Sequence, residues 1–231
     1  MKNKMLTAAE AVSVIKDGDT IAVGGFLGTG SPEILLDALV AQGTKHLTLI
    51  ANDGGMRDDN PYTGGRHKGV AKLIANGQVD HIIASHVGVN PDIFAGMSAG
   101  TLKCTLVPQG SLAEKLRAAG AGLGGVLTPT GLGTPVEEGK RIIEIEGVDY
   151  LLELPLKPKV SLIRADYCDK FGNFTMLKAT KTFNHVMAMA GEIVIVAAEK
   201  VFEIGEKDPD FYQVSGVYVD MIVEGEEPWQ I

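Results

Sequence analysis

Short, continuous apolar runs recur along this chain, and most are followed by a segment with helical spacing. "TIAVGG", "HLTLIAND", "HIIASHVG", "CTLVPQG", "VSLIRADYCD", "EIVIVAAEKV" and "VYVDMIV" read as strands. Their apolar residues do not alternate with polar ones, which is the pattern of strands covered on both faces. Residues 7–16, "EILLDALVAQG", "GVAKLIANG", "NPDIFAGMSAG", "SLAEKLRAAG" and "TKTFNHVMAMAG" read as helices between them. Strands alternating with helices predict an α/β fold, an open three-layer α/β/α arrangement with a mostly parallel sheet. The 231 residues suit one such domain over 1–231. "RIIEIEG" and "YLLELPL" read as a hairpin outside that rhythm.

Local signals set the expected boundaries. Thr7 with Glu10 makes a capping box, and Asp17-Gly18 stops the first helix. Ser31 is expected as the cap of the second helix, with Pro32 in first position, Glu33 in the first turn and Gly43 at the end. Asp58–Gly69 and "EKDPDFYQVSG" read as loops. In the "EGEEPWQI" tail, Trp229 either docks the chain end or stands in solvent.

The net charge of −8 argues against nucleic acid as the main partner, though it permits a local basic pocket. No stretch approaches the ~20 apolar residues of a membrane span. The start does not read as a secretory leader, so a cytoplasmic location with Cys104 and Cys168 as reduced thiols is expected.

Ligands of open α/β sheets bind beyond the carboxyl ends of the strands. The residues expected there are Gly24–Gly30, Asn52-Asp53-Gly54, Ser85-His86, Pro108-Gln109-Gly110 and Cys168-Asp169. Glycines and carboxamides dominate this rim, and such groups suit a carboxylate or a developing oxyanion. The first loop lacks the Gly-Lys-Ser/Thr of a phosphate loop and the third glycine of a dinucleotide fingerprint. Its glycines could equally serve only a tight turn. Gly120, Gly122 and Gly125 do match a dinucleotide spacing, but they follow a helix where a strand is required. That glycine-dense segment, Gly120–Gly133, could bring backbone close to a ligand or flex over a site.

Nucleophiles are scarce. His67, His86 and His185 have no ligand spacing, so no metal is expected. Cys104 reads as packing, and Asp166 and Asp169 beside Cys168 would raise its thiol pKa. Glu137 and Glu138 read either as catalytic or, more simply, as acidic residues opening a short helix.

The residues Asp17, Gly18, Gly24, Gly25, Phe26, Gly30 and Pro32 stand at the spacing of the family I coenzyme A transferase signature, which this stretch resembles. The resemblance continues through "LTLIAND", "IASHVGVNP", "LVPQGSLAEKLRAAGAGLGG", "LTPTGLGT", "VEEGK" and "IRADYCDKFGN". Length and order are similar to the α (A) subunit of the acetate/butyrate–acetoacetate type, with a longer polar loop around Met56–Arg66.

That resemblance implies a ping-pong transfer of CoA between a short-chain acyl-CoA and a short-chain carboxylate. Acetoacetyl-CoA, butyryl-CoA or acetyl-CoA would be the donor. A glutamate in a Ser-Glu-Asn-Gly motif of the β subunit would be the nucleophile, and "SENG" is absent here. The chain would then act only with a β subunit, as αβ or α2β2. Coenzyme A would be a substrate, and no permanently bound cofactor is implied. By the same resemblance, the Asn52 amide supports the reacting carbonyl oxygen and Gln109 is a pocket amide. Gly24, Gly25, Phe26, Gly28 and Gly30 would line the cleft, with Gly122, Gly124, Gly125 and Thr128 from the second loop. Two other readings stay open: a stand-alone metabolite-binding or sugar-phosphate-sensing module of related fold, and a self-sufficient enzyme such as a thioesterase using Glu137 or Glu138.

Overall fold

The computed structural model describes residues 3–227, and Trp229 lies outside them. Helix α1 (Ala8–Val12) begins on the expected capping box, in which the Glu10 N–H donates to Thr7 and the Thr7 N–H donates back to Glu10. Then come β1 (Thr20–Val23), α2 (Glu33–Gln42), β2 (Leu47–Ala51), α3 (Ala71–Ala75), β3 (Val79–Ala84), α4 (Pro91–Ala99), β4 (Lys103–Leu106) and α5 (Gln109–Gly120). The second half holds β5 (Val126–Thr128), β6 (Ile142–Ile145), β7 (Val148–Glu153), β8 (Val160–Asp169), β9 (Phe174–Thr175), α6 (Asn184–Ala190), β10 (Ile193–Phe202) and β11 (Met221–Glu224).

The main sheet runs β11-β10-β8-β1-β2-β3-β4, and every neighbouring pair is parallel; β9 adds one antiparallel contact to β8. Successive strand residues point to opposite faces, which decides what each helix covers. Ile21 and Val23 of β1 join Leu35, Leu39, Leu73 and Ile93 in one core, beneath α1 to α4. Ala22, between them, joins Leu112, Leu116, Val186 and Met187 in the other core, beneath α5 and α6. The outcome is the expected α/β/α sandwich.

Three expectations need correction. Ser31 does not cap α2: Pro32 holds the cap position without a side-chain bond, and Ser31 is buried against the Gly25 backbone. The orphan N–H at Ile34 donates instead to Glu226 Oε2 at 3.0 Å, so the cap comes from the far end of the chain. Residues 7–16 contain only a short helix, α1. The glycine-rich segment also contains a strand, β5, which pairs with β7 to extend the β6–β7 hairpin into a three-stranded antiparallel sheet.

Candidate active site

The parallel strands β1 to β4 end side by side, and the chain leaves each end through the residues expected to form the rim. β1 leads into Gly24–Gly30. Phe26 and Thr29 exchange both backbone hydrogen bonds at 2.9 Å, making a tight turn with Leu27 at φ +48. Glycine is required at Gly24 for a steric reason: an added Cβ would lie 1.8 Å from Asn184 Oδ1. Asn184 is fully buried, accepts from the Arg164 N–H at 3.0 Å, and donates to the carbonyls of Gly30 at 2.9 Å and Thr180 at 2.7 Å. It ties the loop to β8 and to the approach to α6. Phe26 remains 40% exposed at the loop's tip.

β2 leads into Asn52 and Asp53, which are 1% and 4% exposed. Asp53 Oδ2 accepts from the Leu27 N–H at 2.8 Å, and Oδ1 accepts from the Gly55 N–H at 2.8 Å. Asn52 Nδ2 donates to the same Oδ2 at 2.9 Å. Asn52 Oδ1 accepts from Gln109 Nε2 at 2.6 Å and from Ser85 Oγ at 3.3 Å. The Asn52 carbonyl accepts from Ser85 Oγ at 2.7 Å and from the Ser85 N–H at 2.9 Å. Among the described residues the second Nδ2 proton of Asn52 has no acceptor. A void of about 10 Å³ lies between the glycine loop and this strand end, with Gly24, Gly25, Gly28, Ser31, Asn52 and Asp53 in its wall. That is roughly the room for one oxygen atom the size of water.

The structure therefore brings Gly24, Gly25, Phe26, Gly28, Gly30, Asn52 and Gln109 into one neighbourhood, with Gln109 acting on Asn52. The remaining glycines are elsewhere. α5 carries the chain twelve residues from Gln109 before Gly122, Gly124 and Gly125, roughly 18 Å at 1.5 Å per residue. Gly125 packs against the Glu153 carbonyl at the small sheet, and Thr128 in β5 accepts locally from the Thr130 N–H. Glu137 closes a short turn opened by Thr134 and accepts from the Gly133 N–H at 2.6 Å, the simpler of its two readings.

Asp53, Ser85 and Asn184 complete the site. The first two are visible in the sequence only as members of the rim. The signal for Asn184 is a single carboxamide at the head of a helical stretch that is apolar after His185.

Other candidates are accounted for by the fold. Burial, then the Asp169 charge, pushes the Cys168 thiol far above its ordinary range, and burial raises Cys104 as well. No group of His, Cys, Asp and Glu among the described residues is arranged to hold a metal, and no described helix is long and apolar enough to cross a membrane. A larger groove, about 810 Å³, is a different place, between α2, α3 and residues 225–227. Charges there engage one another: Lys72 contacts Glu33 at 2.6 Å and Asp37 at 2.5 Å, and Arg164 contacts Glu226 at 3.1 Å and Glu199. The smaller void beside Asn52 is the better candidate for chemistry, because the buried Asn52 and the glycine loop both form its wall.

Comparison with known proteins gives the family. The coenzyme A transferase family model matches residues 5–225. The chain is 44% identical to the acetate CoA-transferase subunit alpha of Escherichia coli (strain K12), covering 98% of this chain and 99% of that one. It is 43% identical to the acetoacetyl-CoA:acetate/butyrate CoA transferase alpha subunit of Clostridium acetobutylicum, over 97% and 99%. Further relatives carry succinyl-CoA:3-ketoacid and 3-oxoadipate transferase names. Among solved structures, an acyl-CoA transferase from Escherichia coli O157:H7, in a thioester complex with CoA, superposes with a TM-score of 0.80 at 25% identity. The match covers 96% of this chain, which spans 50% of that enzyme.

Proposed function

The chain belongs to the coenzyme A transferase family, alongside its α (A) subunits, and from that premise we propose that it forms the donor wall of a short-chain acyl-CoA:carboxylate CoA-transferase whose nucleophilic glutamate stands on a β subunit. The observation that carries this reading is the Asn52 amide: buried, held on three sides, with one N–H left over beside a void of one-atom size.

The chemistry needs such a donor. The partner's glutamate oxygen attacks the thioester carbonyl carbon, and the electron pair moves onto the carbonyl oxygen. Collapse of that tetrahedral species expels CoA thiolate and leaves a mixed anhydride. The thiolate then attacks the glutamyl carbonyl carbon and releases the first carboxylate, so that a glutamyl-CoA thioester remains. The second carboxylate takes CoA by the same steps in reverse. Splitting the transfer into covalent half-reactions keeps the thioester's free energy in a covalent bond at every stage. Negative charge develops on one oxygen at each tetrahedral stage, and a fixed neutral donor favours that oxyanion by about 3 kcal/mol. A lysine in the same place would also hold the free carboxylate in its ground state, which adds little to the rate.

The small antiparallel sheet supports the presence of a partner. Residues directly opposite in its ladders share a face, and Leu127, Ile143, Ile145, Val148, Tyr150 and Leu152 all fall on one side. None of the six is buried, and Ile145 and Val148 are 46% and 49% exposed. An apolar face of this kind is suited to cover by another subunit, and we place the β contact there, in an αβ or α2β2 assembly. The acetate and acetate/butyrate names of the relatives support a short-chain acid as acceptor.

The test is CoA exchange between acetoacetyl-CoA and acetate or butyrate, measured for the chain alone and with its β partner. Exchange only by the pair is expected, with borohydride reduction of the thioester marking a glutamate of the partner. Exchange by this chain alone would overturn the reading.

A further inference from the structure

One carboxylate in the site joins the glycine loop, the turn after β2 and the Asn52 amide. Asp53 is 4% exposed and holds three donors from three places: the Leu27 N–H in the glycine loop, the Gly55 N–H in the turn after β2, and the Asn52 side-chain amide. We propose that Asp53 is a positioning residue that locks the Asn52 amide and the Phe26–Thr29 turn into one rigid unit, so that the oxyanion donor and the glycine loop keep a fixed relation through the reaction. This rests on the role given to Asn52 above.

Hydrogen-bond direction decides the point. Backbone N–H groups only donate, so Leu27 fixes Oδ2 of Asp53 as an acceptor and Gly55 does the same for Oδ1. The Asn52 atom facing Oδ2 must therefore be the nitrogen. Turning that amide over would set its oxygen against the carboxylate and its nitrogen against Gln109 Nε2, itself a donor at 2.6 Å. Asp53, fixed by two backbone donors, is thus the group that orients the Asn52 amide, and Gln109 presents its nitrogen to the oxygen so placed. The loop side of the bond is also under tension. Leu27 has a φ of +48, a conformation disfavoured for a side-chain-bearing residue, and its N–H is the group that Asp53 holds. Without this acceptor the turn loses its tether to β2 while keeping its strain.

The experiment uses the chain assembled with its β partner and three variants: Asn52→Ala, Asp53→Ala and the double. Asp53→Ala is expected to lower kcat by about tenfold or more, with KM for the acyl-CoA within about twofold, since a donor misplaced by about 1 Å is costly in turnover. The double variant should fall no further than Asn52→Ala alone, within about twofold, because the fixed relation between donor and loop counts for nothing in turnover once the donor is gone. Hydrogen exchange at the Leu27 amide should quicken in Asp53→Ala and stay at the wild-type rate in Asn52→Ala. Asp53→Asn covers a failure of Asp53→Ala to assemble. It keeps acceptors for two of the three donors and should show a smaller loss of kcat with the same unchanged KM. Normal kcat in the Asp53 variants, or losses that multiply in the double, would overturn the proposal. Normal turnover in Asn52→Ala would instead remove the oxyanion role. The Leu27 exchange rate would then still decide whether Asp53 pins the loop.

Discussion

Gly24→Ala tests the packing that holds the glycine loop. Gly24 is not in the left-handed region, so alanine imposes no backbone strain, and the effect isolates one collision. The new methyl would lie 1.8 Å from Asn184 Oδ1 and 2.5 Å from its Cγ, well inside contact distance. Asn184 must swing away, and it cannot do so freely. Its departure strips partners from the Arg164 N–H and from the carbonyls of Gly30 and Thr180. A buried polar group left without a partner costs about 1–3 kcal/mol, so three of them give roughly 3–5 kcal/mol after partial relaxation. Typical stabilities of about 5–15 kcal/mol make that a large fraction. The assay is urea unfolding of Gly24→Ala, Asn184→Ala and the double variant. Asn184→Ala should lose a similar amount for the same reason. The double should be no worse than Asn184→Ala, because alanine at 184 leaves room for the methyl. Gly24→Ala within about 0.5 kcal/mol of wild type, the size of a usual surface effect, or strictly additive losses, would refute this account of the loop.

Asn52→Ala in the assembled enzyme should lower turnover by about 10²-fold while leaving assembly on a sizing column unchanged; turnover near normal would remove the residue from the mechanism. Burial raises the carboxyl of Glu226 from 4.5 to about 7, so the folded chain binds that proton more tightly than the unfolded one. Its contribution is therefore complete below pH 4.5 and is lost as pH rises to about 7, weakening folding by up to about 3 kcal/mol over that window. Glu226→Gln, which keeps an acceptor for the Ile34 N–H, should flatten this part of the urea-stability profile between pH 5 and 7.5, and an unchanged slope would count against it. Ile145→Asp or Val148→Asp places a charge on the apolar face of the small sheet, and should abolish co-purification with the β subunit while the chain alone keeps its far-UV spectrum. Retained assembly would move the contact elsewhere.

Much of the site was legible because strand ends are legible. Where an apolar run stops, the next residues fall on the rim, and Gly24, Asn52 and Gln109 were found that way. Gly122, Gly124 and Gly125 show the limit: composition marks a flexible loop, but the length of α5 sets how far from the rim that loop begins. β5 leaves no mark in the sequence because a three-residue strand has too few positions to display a period, and only its pairing with β7 defines it. Ser31 met every local rule for a helix cap, yet Glu226 supplies the bond from 192 residues away.

The sequence by itself determined the layered α/β architecture, the glycine loop and the family, since each is written in local pattern and spacing. Tertiary structure decided which polar groups hold one another: that Asn184 fills the space Gly24 leaves, that Asp53 turns the Asn52 amide, and that one N–H stays unpaired. These are consequences of strands distant in sequence ending side by side. A hydrogen bond depends on tenths of an ångström between such ends, and no one-dimensional pattern carries that distance.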